Sequence, residues 1–219
     1  MRIAILLCGH IRTWEKCKDN FIQTFCQEHE VDIYVHTYNQ KYCYHPFIAG
    51  KLNISDEKNT QEITQKDLQL FDIINVKKIV LENQENVING ITDIDEYPVN
   101  MDIHCQYRKI NLCNSLLQEQ NTYDLIIKTR MDIKYSTPFI LPNAKENTIY
   151  ISPCDTVYPQ DACFIAEPKT FNRFISVLTG KYPQKIINPH LWMQICIQQG
   201  FQLESLSSSV EFVRLDKSE

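Results

Sequence analysis

From Ile3 to Cys8 the chain runs through six consecutive apolar residues. That length suits a strand buried on both faces and falls far short of a membrane span. The period then changes. Trp14, Phe21, Ile22, Phe25 and Cys26 lie roughly on one stripe, which predicts a helix over 14–28 with Thr13 as its N-cap. Residues 31–37 are dense in β-branched and aromatic side chains and read as a second strand. A polar, aromatic loop is expected over roughly 38–58, a short helix over 61–71 and a third strand over 76–81. Residues 83–98 read as a loop with a turn at Asn89-Gly90, and 99–120 as a long helix uninterrupted by Gly or Pro. Residues 124–130 give a fourth strand. Four strands alternating with helices predict an α/β fold, with a mainly parallel sheet covered on both faces.

The second half has a different texture. Short strands are expected at 147–152, 161–166 and 209–214, and helices at 169–179 and 189–199. Gly180 and Gly200 stand just past those helices as C-cap candidates. Nothing resembling a linker divides the chain, so residues 1–219 are expected to form one domain.

Composition narrows the function classes. The chain carries 22 Lys and Arg against 27 Asp and Glu, a net charge of −5, which argues against a nucleic-acid partner. A local basic pocket for a small phosphorylated ligand remains compatible with that balance. Nine cysteines, none spaced C-x-x-C, fit buried thiols in a reducing compartment better than a disulfide framework or a zinc site. No transmembrane segment or signal-peptide pattern is visible, and a cytoplasmic location is expected.

In open parallel sheets, ligands bind beyond the carboxyl ends of the strands. Gly9 and Arg12 follow the first strand, where the backbone turns into a helix N-terminus suited to an anion. With five glycines in the whole chain and no G-x-G-x-x-G, a dinucleotide fingerprint or Walker loop is excluded. His36, Thr37 and Tyr38 end the second strand, where an aromatic can stack on a base and a hydroxyl can bind its edge. The alternating Lys128, Arg130 and Asp132 should emerge on one side of the fourth strand. They read either as a self-satisfied Arg130–Asp132 salt bridge or as a site for a diphosphate, with or without a divalent cation. Arg108 and Lys109, next to Tyr107 on the long helix, could reach the same pocket. Asp161 and His190 are candidate general bases for an acceptor hydroxyl. Lying past a strand end, Asp132 is expected to contribute little to folding.

Four segments in order resemble a family of small GT-A-like glycosyltransferases found in bacterial surface-polysaccharide clusters and large DNA viruses. They are IAILLCGHIRT (3–13), VDIYVHTY (31–38), YDLIIKTRMDIKY (123–135) and QDACFIAEPKTF (160–171). The resemblance implies a GT-A-like fold, a nucleotide-sugar donor and a glycan acceptor. It makes 1–135 a nucleotide-binding half and 136–219 an acceptor-side half. It also implies a DXD-type metal position, which here reads Arg130-Met131-Asp132 with a single carboxylate. The family's acidic residue after the late proline is His190 here, and its strand-end Trp is Tyr38.

Transfer from such a donor loads negative charge onto the leaving diphosphate, which a cation or basic side chains must stabilise. Because Asp132 near a diphosphate would be repelled by it, Mn²⁺ or Mg²⁺ is expected to bridge the two. The alternative is direct neutralisation by Lys128 and Arg130. A degenerate module that binds nucleotide or glycan without turnover is the competing reading of the whole protein. A nucleotidyltransferase is a third, opposed by the missing Gly-rich loop.

Overall fold

The computed structural model describes residues 1–41, 61–72, 74–83, 108–117, 122–136, 138–153, 162–180 and 196–213. Its elements in chain order are β1 (Arg2–Cys8), α1 (Trp14–Phe21), β2 (Glu30–Tyr38), α2 (Gln65–Gln69) and β3 (Val76–Glu82). Then follow α3, helical over 108–115, and β4 (Leu125–Thr129), β5 (Ile133–Tyr135), β6 (Thr148–Ile151) and β7 (Phe164–Ala166). The last elements are α4 (Pro168–Gly180), β8 (Gln202–Ser205) and β9 (Val210–Phe212).

The apolar run of β1 places it at the centre. Ile3 through Leu7 are fully buried, each large side chain contributing roughly 1.5–3 kcal/mol. Period-two geometry sends alternate residues to opposite faces. Ile3, Ile5 and Leu7 pack in one core with Trp14, Phe21 and Phe25; Ala4, Leu6 and Cys8 pack in another with Ile110, Cys113, Phe171 and Phe174. The fold is therefore α/β, with helices on both faces of one sheet.

That sheet has seven strands in the order β3-β2-β1-β4-β7-β6-β8. β3, β2, β1 and β4 pair in parallel, as the alternation predicted. β7 runs antiparallel to both β4 and β6, and β6 pairs in parallel with β8. Six strands thus point one way and β7 alone is reversed. Strands from residues 1–135 and from 136–219 share this one sheet.

Several expectations are corrected. The helix predicted over 14–28 is α-helical only to Phe21 and widens to a π-type segment over Ile22–Cys26. There Phe25 still reaches the rings of Tyr135 and Phe139, at 4.8 and 5.4 Å. Thr13 does not cap α1, because its hydroxyl donates to the carbonyl of Val213 at 3.0 Å. The strand expected over 209–214, for which no partner was assigned, forms as β9 and pairs with β5. α2 carries its own capping box between Thr64 and Asp67.

Gly200 (φ +80°) follows helical residues 196–198, and Phe201 N–H returns to the Cys196 carbonyl at 3.0 Å, as expected of a C-cap. Gly180 is the last residue of α4 instead of following it. The cysteines described are free thiols, five of them buried, as their apolar settings foretold. Among the described residues, no helix is long and apolar enough to cross a membrane. The predicted loops at roughly 42–58 and 84–98 lie outside the described residues, as do the greater parts of the helices predicted over 99–120 and 189–199.

Candidate functional site

Strand order locates the site before any side chain is considered. From β1 the sheet grows in one direction through β2 and β3, and in the other through β4. The carboxyl ends of β1 and β4 therefore flank the point where the winding reverses, and a crevice opens there in such sheets.

The loop after β1 forms one wall. Gly9 adopts φ +140°, a conformation that disfavours any side chain, and its N–H donates to the His36 carbonyl at 3.1 Å. Among the described residues, its chain neighbours apart, no heavy atom lies within 4 Å of where a Cβ on Gly9 would sit. Arg12 has φ +21°, unusual for a non-glycine residue. Such conformations cost about 1–3 kcal/mol and cluster at functional sites.

The end of β4 forms the other wall. The strand stops at Thr129, and Met131 is fully buried in the α1-side core. Its neighbours Arg130 and Asp132 meet each other. Arg130 Nε and Nη2 donate to Asp132 Oδ1 and Oδ2, each at 2.8 Å, a bidentate fork. Arg12 Nη1 lies 3.7 Å from Asp132 Oδ2. Burial pushes the Asp132 carboxyl up, but the Arg130 charge and hydrogen bonds, with Arg12, hold it well below the usual carboxylate range. Asp132 is only 7% exposed and is thus an integral buried ion pair, not the dispensable strand-end residue expected from its position.

The segment at β9 ties the two walls together. Val213 N–H donates to the Asp132 carbonyl at 2.8 Å, and the Val213 carbonyl accepts from Thr13. The Phe212 ring lies under the Arg130 guanidinium, 4.9 Å away.

Beyond β2 the picture differs from expectation. Tyr38 is fully buried, with the His10 ring 5.1 Å away and the Lys109 ammonium 5.1 Å above it. It therefore supports Lys109 and does not offer a stacking face to a base. Thr37 follows Val35 onto the opposite, α1-side face, and its buried hydroxyl has no hydrogen-bond partner among the described residues. Arg108 is drawn to the sheet edge, where Nε and Nη2 donate to Glu82 Oε1 at 3.2 and 2.7 Å. His36 Nε2 lies 3.3 Å from Glu82 Oε2 without hydrogen-bond alignment. Burial, with Lys109 and Arg108 against Glu82, takes His36 down to about 4. His10, whose Nδ1–H donates to the Gln40 carbonyl at 3.3 Å, is also pushed down, by burial and then by Arg12 and Lys109. Both imidazoles are neutral at pH 7.

The structure thus assembles Gly9, Arg12, Arg130 and Asp132, with Lys109 close enough to His10 to share its field with Arg12 and Asp132. Lys128 is buried with its ammonium 5.2 Å from the Phe164 ring. Asp161 and His190 lie outside the described residues. His10 and Glu82 were not anticipated. Glu82 becomes legible only once β2 and β3 are known to be parallel, which brings their carboxyl ends together.

Among the described residues, Arg12, Lys109 and Arg130 stand around the Asp132 carboxylate, with His10 neutral. This arrangement suits an anion. Among the described residues, the carboxylate it offers a divalent metal is already bonded to Arg130. Both Asp132 oxygens accept from Arg130, and two guanidiniums already surround them. No group of three or more His, Cys, Asp or Glu among the described residues could hold a metal ion. Magnesium and manganese sites need carboxylate oxygens that are free to ligate. In comparisons with known proteins, no family model and no curated protein matches this chain.

Proposed function

We propose that the chain is a glycosyltransferase of GT-A-like fold that moves a sugar from a nucleoside diphosphate to a glycan or other hydroxyl acceptor. The observation that carries the proposal is the meeting of Arg12 and Arg130 across the reversal point between β1 and β4. Supporting it are the parallel β3-β2-β1-β4 half-sheet, the reversed β7 beside β4, and the space that the described residues leave above Gly9.

In the reaction, the bond from the sugar's anomeric carbon to the diphosphate oxygen breaks, and its electron pair leaves with the diphosphate. The acceptor oxygen bonds to the anomeric carbon and gives its proton to a base. Fixed guanidiniums in a partly dry crevice stabilise the charge that develops on the leaving group. Asp161 and His190 are the residues we assign to the acceptor side.

The test is a thermal-shift screen of UDP-, GDP- and dTDP-sugars, followed by assay of nucleoside diphosphate release from any donor that stabilises the protein. Arg12→Ala is expected to weaken nucleotide binding about tenfold or more, since charged hydrogen bonds contribute roughly 1.5–3 kcal/mol. Unchanged affinity in Arg12→Ala would remove this residue from the site.

One observation favours a second reading, a nucleotide- or glycan-binding module without turnover. Among the described residues, the carboxylate at the reversal point is Asp132, and both its oxygens accept from Arg130. Stabilisation by a donor without any release of nucleoside diphosphate, in the presence of a panel of acceptors, would select it.

A further inference from the structure

We infer that Thr13 is a positioning residue for the diphosphate: its hydroxyl, bonded to the carbonyl of Val213, holds Arg12 in place at the site. The inference rests on the glycosyltransferase reading for the identity of the ligand, and on bonds present in the structure for the mechanism. The loop after β1 is secured at both ends. At its start the Gly9 N–H donates to the His36 carbonyl at 3.1 Å, and at its end the Thr13 hydroxyl donates to the Val213 carbonyl at 3.0 Å. Between them Arg12 holds a backbone φ of +21°. A non-glycine residue keeps such a conformation only where its surroundings impose it. Thr13 is buried, and its bond reaches 200 residues along the chain, so this restraint comes from the tertiary fold and not from the loop itself.

Val213 carries the restraint to the other wall. Its N–H donates to the Asp132 carbonyl at 2.8 Å while its own carbonyl accepts from Thr13, so one residue bonds both loops. The Phe212 ring, one position earlier, lies 4.9 Å from the Arg130 guanidinium. Across the crevice that this bridge spans, Nη1 of Arg12 stands 3.7 Å from the Asp132 carboxylate. Without the Thr13 hydroxyl, the Val213 carbonyl loses a donor and Arg12 is freed to relax to an unstrained backbone. Only the molecules that keep the native loop then bind diphosphate at full strength, and the apparent affinity falls in proportion. A hydrogen bond of ordinary net strength corresponds to about a fivefold change.

This role differs from a part in folding alone because it acts through Arg12. Loss of the hydroxyl weakens binding while Arg12 is present and is silent once Arg12 has been removed, which a double-mutant cycle detects.

The experiment is calorimetric titration of the full chain with inorganic pyrophosphate, UDP and GDP, with Mg²⁺ and again in EDTA. It is run on the natural chain, Thr13→Val, Thr13→Ser, Arg12→Ala and the double variant of Thr13→Val with Arg12→Ala. Valine keeps the shape of threonine and removes the hydroxyl; serine keeps the hydroxyl. The expected result is binding about fivefold weaker in Thr13→Val, restored in Thr13→Ser, and no further loss when Thr13→Val is added to Arg12→Ala. Undiminished affinity in Thr13→Val, a loss that serine does not restore, or an equal loss with and without Arg12 would overturn the inference and leave the glycosyltransferase reading standing. Should Thr13→Val not fold, amide hydrogen exchange of the natural chain decides. Bound pyrophosphate is expected to slow exchange at Val213, and unchanged exchange there would overturn the inference. Absence of binding by the natural chain to all three ligands under both conditions would overturn both.

Discussion

Asp132→Ala is expected to destabilise the protein by about 3 kcal/mol at pH 7, the lower end of what removing one partner from a buried ion pair costs. The loss comes less from the missing attraction than from what remains. Arg130 and Arg12 would keep their charges in a crevice where their side chains are only 22% and 21% exposed. That residual exposure admits some water and places the effect at the lower end. For a domain of this size the change corresponds to a fall in melting temperature of roughly 6–12 °C. The pH dependence has a definite sign. A carboxyl held below its ordinary range contributes stability that is present above that range and disappears as pH falls towards the depressed value. The gap between the natural chain and Asp132→Ala should therefore be full at pH 7 and narrow below about pH 4. Urea denaturation of both at pH 7 and pH 3.5 measures it. Equal stability at pH 7 would mean that the fork contributes nothing.

The second large effect belongs to His36. Its imidazole is fully buried and faces Glu82, Arg108 and Lys109, with Tyr38 edge-on at 5.9 Å. The folded protein protonates it only near pH 4, whereas the unfolded chain does so near the ordinary value of 6.5. Between those values the unfolded state binds the additional proton. Stability contributed by neutral His36 is thus complete above about pH 6.5 and is lost as pH falls to about 4, by on the order of 3 kcal/mol. His10 acts in the same direction, since it too is buried and neutral. In His36→Gln the stability lost between pH 7 and pH 4 should be smaller by about that amount, with the carboxylate contribution common to both proteins. Parallel stability–pH curves for the two proteins would show that His36 is not the group responsible.

The parts of the fold that were legible share a physical cause. β1, β2 and β4 are buried on both faces, so their apolar runs announce them, and the helical period between them implies parallel pairing. β5, β8 and β9 were harder. The first was read as the tail of a motif, and Gln202–Ser205 is too polar to register as a strand because it forms an edge of the sheet. The strand at 209–214 was visible, yet its partner was not, because pairing across some eighty residues leaves no local trace.

The site was legible in the same uneven way. Alternation placed Arg130 and Asp132 together, with Met131 turned into the core. What alternation could not show is Arg12 arriving from the loop after β1 to stand 3.7 Å from the same carboxylate. Tyr38 was misread because strand ends are usually open, whereas here His10 and Lys109 cover this one. Thr13 looked like a cap because its position next to the helix is a local feature. Its actual partner, Val213, lies 200 residues away.

In the proposed function, a nucleoside diphosphate binds where β1 and β4 end. Amide chemical shifts of the isotopically labelled protein, followed during titration with UDP and GDP, test it directly. The largest changes are expected at Gly9 to Thr13 and Arg130 to Asp132, with a smaller response at Val213. Changes confined to the amino ends of the strands, around Arg2, Asp32 and Tyr123, or no change with either nucleotide, would contradict such binding.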